Sequence, residues 1–68
     1  MIFVIKVTTN KEGKAIEMIT DRAKKKQVNV FSVVKPHGLR GYILLEAADR
    51  DSAEEAVFNL PYVKGIIG

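Results

Sequence analysis

The side chains that could perform acid–base or metal chemistry are few and scattered. His37 is the single histidine, and it lies between Pro36 and Gly38, where a turn is expected. A solvated loop residue explains this histidine better than a general base, which needs partners in a pocket. The sequence contains no cysteine, which excludes thiolate metal sites and disulfides. We therefore expect no enzymatic activity, no cofactor, no metal and no small-molecule substrate.

One concentration of carboxylates remains to be explained. It comprises Asp49, Asp51, Glu54 and Glu55. Acidic residues are expected at the start of a helix, where they face the positive end of the helix dipole. Gly38 and Gly41 are isolated and precede a strand, so they do not form a phosphate-binding loop. Ordinary helix chemistry accounts for the acidic residues without a ligand.

The basic side chains cluster in one run, Lys24-Lys25-Lys26. Lysines in the last turn of a helix complement its carbonyl end, which is the simplest explanation. Contact with nucleic-acid phosphates is the alternative, for which Lys24, Lys25 and Lys26 are the candidates. The formal net charge of +3 is compatible with nearby nucleic acid but does not by itself indicate it.

Hydrophobic periodicity predicts strands at residues 2–7, 28–34, 41–47 and 62–67. It predicts one helix at about 11–26, capped by Asn10, and a second that ends before Pro61. The competing caps of the second helix are Asp49, Asp51 and Ser52. In the second strand, alternation places Phe31 and Val33 on one face and Val30, Ser32 and Val34 on the other.

The order strand–helix–strand–strand–helix–strand predicts a single α+β domain of the ferredoxin-like βαββαβ type. Its four-stranded antiparallel sheet would carry both helices on one face. The first and third strands would be central, and the second and fourth would be edges. The first and third are also the most continuously apolar strands, as central strands usually are.

The third strand is apolar on both of its faces. Alternation directs one set of side chains to the core: Ile43, Leu45 and Ala47. Tyr42 and Leu44 point the other way, and Val4 of the neighbouring central strand joins them. Two helices can cover only one face of this sheet. The second apolar face is therefore expected to bind a partner, or else to be covered by a further segment.

The last strand is an expected edge, and Lys64 is its only charged residue. A partner's strand could extend the sheet there, although an edge protected by additional chain is the alternative. The opening residues 1–6 do not resemble a signal peptide, and no apolar run is long enough to cross a membrane. We expect a cytoplasmic protein.

Four segments, in order and over nearly the whole chain, resemble the N-terminal domain of NusG in its archaeal and eukaryotic branch. They are residues 3–9, 29–33, 39–47 and 61–65. The segment Gly-Tyr-Ile-x-x-Glu-Ala at residues 41–47 is the most specific of them. The resemblance implies the ferredoxin-like fold and a role in transcription elongation. A KOW domain usually follows in this family and does not occur in these 68 residues.

The resemblance also implies two partners. An apolar depression, here Val4, Tyr42 and Leu44, would bind the clamp coiled coil of the RNA polymerase large subunit, so that the domain closes over the DNA channel and raises processivity. A small zinc-binding subunit would form a heterodimer along the last strand. Its implied contacts are Glu46, Tyr62, Val63, Lys64 and Ile66. Glu46 would meet the N-terminus of a helix in that subunit, where a carboxylate suits unsatisfied amides.

The sequence departs from the family at Leu44-Leu45, where a pair such as Phe-Val is common, and this could change the depth of the depression. Two alternatives remain open. An RNA-binding ferredoxin-like module would use the open sheet and the basic residues, and its binding would depend strongly on salt. A ferredoxin-like regulatory domain would pair through strand edges to bind a small ligand, and it would form a homodimer in solution.

Overall fold

The computed structural model describes residues 1–67, which form the predicted succession of strands and helices. The elements are β1 (Ile2–Val7), α1 (Glu12–Lys26), β2 (Val30–Val34), β3 (Tyr42–Ala47), α2 (Arg50–Val57) and β4 (Val63–Ile67). All neighbouring strands pair antiparallel, in the order β2-β3-β1-β4. The predicted ferredoxin-like α+β fold, with β1 and β3 central and both helices on one face, is confirmed.

The core lies between the helices and the inner face of the sheet. Six buried side chains come from the central strands: Phe3, Ile5, Val7, Ile43, Leu45 and Ala47. Those contributed by the helices are Ala15, Ile19, Ala53, Ala56 and Val57. Because most of the helical contributors are alanines, the helices can lie close to the sheet. The alternation predicted for the third strand is confirmed.

The two helices begin differently. Asn10 was predicted to cap α1, and this is wrong: Asn10 has a left-handed backbone (φ 70°), and no side chain caps the helix at Lys11. The amide of Lys11 instead bonds the Thr8 carbonyl in a turn. Of the three predicted caps of α2, Asp49 is the one observed. Its carboxylate accepts a 2.7 Å hydrogen bond from the Ser52 amide. This bond lowers the pKa of Asp49.

The edge strand β2 departs most from its prediction. It begins at Val30 rather than at residue 28, and a bulge interrupts its pairing with β3. Val30 pairs with Ala47 and Ser32 with Glu46, so Phe31 is the extra residue. Consequently Val30 and Val33 both pack against the core, while Phe31 is 64% exposed. The prediction that Phe31 shares a face with Val33, opposite Val30, is wrong because the bulge resets the alternation.

The other edge strand, β4, is also irregular. Its pairing with β1 shifts between Val63 and Gly65, which leaves Lys64 as the extra residue. Tyr62 has a left-handed backbone (φ 71°), so β4 begins one residue later than predicted. The Tyr62 carbonyl accepts a 2.8 Å hydrogen bond from the amide of Thr8. Neither helix in the described part of the chain has the length and apolar character needed to cross a membrane.

Candidate protein-interaction surface

The outer face of the sheet, opposite the helices, carries a line of apolar side chains across all four strands. The pairing places Val34 beside Leu44, Leu44 beside Val4, and Val4 beside Ile67. We call these four residues the apolar row. Val4 and Leu44 at its centre are half-buried, and Val34 and Ile67 at its ends are about half exposed. A continuous apolar strip on a sheet face without helices is typical of a surface that another protein covers.

Tyr42 lies next to the apolar row and is held by a neighbouring cation. Lys6 is its cross-strand partner on β1, and the ammonium nitrogen of Lys6 lies 4.4 Å from the centroid of the Tyr42 ring. This distance is well within the range of a cation–π interaction. On the other side of Lys6 the paired residue is Gly65, which has no side chain. The structure thus brings Val4, Tyr42 and Leu44 together on one uncovered surface.

Glu46 lies on the same face at the opposite end from Lys6. It pairs with Ile2 on one side and Ser32 on the other, and its side chain is exposed. The Ser32 hydroxyl donates a 3.4 Å hydrogen bond to one carboxylate oxygen. A carboxylate has room for several more donors, so Glu46 can still receive hydrogen bonds from a partner. The outer face is therefore negative at one end, positive at the other and apolar between.

The backbone just before Tyr42 is fixed by Glu12, a residue that the sequence analysis did not single out for this contact. The buried Glu12 carboxylate (4% exposed) accepts a 2.7 Å hydrogen bond from the amide of Gly41. The Gly41 carbonyl accepts a second bond from the Val7 amide, at 2.9 Å. Gly41 has φ +80°, and a Cβ there would lie 3.1 Å from the Thr9 hydroxyl oxygen. Glycine is therefore the residue that fits, and the start of β3 is held in place.

The hydrogen bond from Gly41 lowers the pKa of Glu12, outweighing the opposite effect of burial. The nearby charge of Lys35 acts in the same direction as the hydrogen bond. No local signal could have revealed this contact, because Glu12 and Gly41 are 29 residues apart in the chain.

The predicted partner residues of β4 occupy different surroundings. Val63 and Ile66 pack against the core, Lys64 is exposed at the bulge, and Tyr62 is 39% exposed just before the strand. Glu46 is far from this edge. The Cα atoms of Glu46 and Ile67 lie two strand spacings apart across the sheet and two residues apart along it. The distance between them is therefore about 12 Å. A strand added beside β4 would not reach Glu46, so a partner that contacts both must also extend over the outer face.

The lysine run does not form a single patch. Lys24 lines a groove between α1 and β2, whereas Lys25 lies near Met18 on another side of α1. Lys26 forms an ion pair with Glu55 of α2, with 3.5 Å between nitrogen and oxygen. Successive residues of an α-helix point about 100° apart, which explains the divergence. Within residues 1–67 no group of His, Asp and Glu side chains is arranged to hold a metal ion.

Together these features define a ferredoxin-like α+β domain with an uncovered apolar sheet face and an open strand edge. A comparison with protein families gives a match over residues 1–67 to the Spt5-NGN family, described as "Early transcription elongation factor of RNA pol II, NGN section". The chain belongs to this family, and the resemblance to the NusG N-terminal domain is confirmed.

Relatives of known structure support the assignment. The chain is 33% identical to the transcription elongation factor Spt5 of Methanocaldococcus jannaschii over 67 residues, which is 98% of this chain and 46% of that protein. The NGN crystal structure from that organism matches with a TM-score of 0.91, covering 98% of this chain and 84% of that one, at 33% identity. A chain of the MjSpt4:Spt5 complex matches with a TM-score of 0.93, covering 98% and 49%, also at 33% identity. The present chain spans less than half the length of the curated relatives it matches.

Proposed function

We propose that this domain binds the clamp coiled coil of the RNA polymerase large subunit through Val4, Tyr42 and Leu44. Bound there, it would close over the DNA channel, near the DNA, and raise the processivity of elongation. The observation that carries the proposal is the apolar row on a sheet face that the helices leave uncovered. Membership of the Spt5-NGN family supports the role in elongation.

The shape and chemistry of the outer face suit a helical protein partner. An apolar strip with half-buried residues at its centre can receive the apolar face of a helix. Each of the three side chains contributes at most about 1.5–3 kcal/mol on full burial, since each is already partly buried in the free domain, and the costs of association must be subtracted. Tyr42 is the only aromatic side chain among the outer-face residues described above, and base stacking on RNA normally uses two or three. The face therefore favours a protein over an RNA ligand.

The second part of the proposal is a heterodimer with a small zinc-binding subunit along β4. A complex of relatives is named as Spt4:Spt5, and β4 is an edge strand of the sheet that residues 1–67 form. Glu46, with its remaining acceptor capacity, would meet the N-terminus of a helix in the subunit. The domain would thus act as a cytoplasmic binding module rather than as an enzyme.

The test is a pull-down with the clamp coiled coil of an archaeal RNA polymerase. Leu44→Glu should weaken binding at least tenfold because it would bury an unpaired carboxylate in an apolar interface. Tyr42→Glu should weaken it to a similar extent because it removes the aromatic ring and would bury a charge pair with Lys6. Leu39→Glu is the matched control, since Leu39 lies in the loop before β3 and is 46% exposed. Circular dichroism should show that all three variants remain folded. Binding of the Leu44→Glu protein at wild-type strength would contradict the proposal.

A further inference from the structure

A groove runs along the inner side of the β4 edge, between that strand and the end of α2. We call it the α2–β4 groove; its volume is about 490 Å³. Its apolar lining consists of Val57, Phe58, Leu60, Val63 and Ile66. Arg50 and Glu54 on its wall form an ion pair with 3.0 Å between nitrogen and oxygen, so their charges offset each other. Asn59, Lys64 and Gly65 complete the lining, which therefore combines apolar and polar groups, as protein–protein interfaces do.

Phe58 is the most exposed of the apolar residues that line the groove, and hydrogen bonds hold its backbone. It is 69% exposed and follows the last residue of α2. The Arg22 guanidinium of α1 donates hydrogen bonds to the carbonyls of Phe58, at 2.7 Å, and Glu55, at 3.3 Å. These bonds satisfy carbonyls at the C-terminal end of α2 from outside the helix. A large apolar side chain on a fixed backbone loses little entropy on binding, which is typical of an interface anchor.

The geometry of sheet extension connects the groove to the β4 edge. In an added strand, successive side chains alternate between the two faces of the sheet. Half of them must therefore lie on the helix side, beside Val63 and Ile66, whose own side chains face the core there. Phe58 and Leu60 line the same groove. A strand that pairs with β4 cannot avoid covering it.

We propose that the α2–β4 groove is part of the heterodimer interface and that Phe58 anchors it. The occupant is the small zinc-binding subunit, whose strand beside β4 would place apolar side chains at alternate positions in the groove. The inference rests on the proposed heterodimer and adds a second contact surface to it. It also gives this face of the domain a role distinct from polymerase binding, because Phe58 lies on the side of the sheet opposite the apolar row.

The experiment compares two exposed phenylalanines at opposite edges of the sheet. The Spt4-type zinc protein of the organism that encodes this chain is titrated calorimetrically with wild-type, Phe58→Ala and Phe31→Ala proteins. Phe31 is 64% exposed on β2 and serves as the matched control. We expect Phe58→Ala to weaken the heterodimer at least tenfold and Phe31→Ala to leave its dissociation constant unchanged. A photo-crosslinking residue at position 58, but not at 31, should capture the zinc protein.

Other results would be equally decisive. Equal affinities for wild-type and Phe58→Ala proteins, or an equal loss with Phe31→Ala, would overturn the anchor while leaving the heterodimer intact. Absence of any complex with the wild-type chain would instead overturn the heterodimer and, with it, this inference. Both variants should still bind the polymerase clamp coiled coil, because neither phenylalanine lies in the apolar row.

Discussion

Glu12 connects the start of α1 to the start of β3 through a single buried hydrogen bond. Its carboxylate receives the Gly41 amide at 2.7 Å, and Gly41 directly precedes Tyr42. Hydrogen bonds to a charged acceptor are stronger than those between neutral groups. Glu12 therefore stabilises the fold and also fixes the strand end that carries one residue of the proposed polymerase surface.

Replacing Glu12 with glutamine should lower the melting temperature by several degrees at about pH 7. The pKa of Glu12 in the folded protein lies below its ordinary value of 4.5. The stabilisation by the charged form is therefore complete well above pH 4.5 and is lost as the pH falls through the folded pKa. The difference in melting temperature between wild type and Glu12→Gln should narrow in acid.

Thermal unfolding followed by circular dichroism from about pH 7 to about pH 3 measures this difference. Glu17→Gln is the control, since Glu17 lies on an exposed face of α1 beside Lys14. A melting-temperature difference for Glu12→Gln that stays constant over the whole range would show that the charged carboxylate is not the source of the stability.

At the scale of the element, β3 separates folding from binding by its two faces. Leu45 is fully buried between the sheet and the helices, whereas Leu44 is half-buried in the apolar row. The side chains are identical and adjacent in the chain, yet only one lies in the core. Stability and partner binding should therefore respond separately to changes at these two positions.

Leu45→Ala should reduce the free energy of unfolding by about 2–5 kcal/mol, because it leaves a cavity in the core. Leu44→Ala should cost less than about 1 kcal/mol, because its side chain is only partly removed from water in the free domain. Urea unfolding of both variants gives the comparison. Equal destabilisation by the two changes would contradict the assignment of the two faces.

The central strands could be predicted from the sequence because their alternation is a local property. Ile43 and Leu45 lie on the buried face, as their spacing indicates. The edge strands could not be predicted in detail, since the bulges at Phe31 and Lys64 depend on how each strand pairs with its neighbour. The prediction that Asn10 caps α1 was wrong because the conformation of this residue, too, depends on structure beyond the local sequence. Its left-handed backbone belongs to the turn that joins β1 to α1, and capping propensity does not report on that turn.

Among the surface residues, too, those on regular central strands could be predicted and those on irregular segments could not. Val4, Tyr42 and Leu44 could be grouped from strand parity alone, because all three lie on regular central strands. Phe58 could not be identified in this way. Its 69% exposure depends on where α2 ends, and its backbone carbonyl is bonded by Arg22 of the other helix, which is a contact distant in the chain.

At the scale of the whole molecule, the two proposed partners use different parts of one small sheet. The polymerase surface occupies the centre of the outer face, and the heterodimer interface occupies the β4 edge with the groove behind it. Ile67 belongs to both the apolar row and β4, so the two surfaces adjoin there. Because a zinc subunit that reaches Glu46 from β4 must extend over the outer face across β1, the two partners would also lie side by side near Ile2 and Val4.

Nuclear magnetic resonance of the isotope-labelled domain, titrated with the polymerase clamp coiled coil, tests the central claim most directly. The largest amide shift changes should occur at Val4, Tyr42 and Leu44, while the helical residues Ala15 and Ala53 beneath the inner face should change little. The opposite result, in which the changes concentrate on α1 and α2 and the outer face stays unperturbed, would contradict the account.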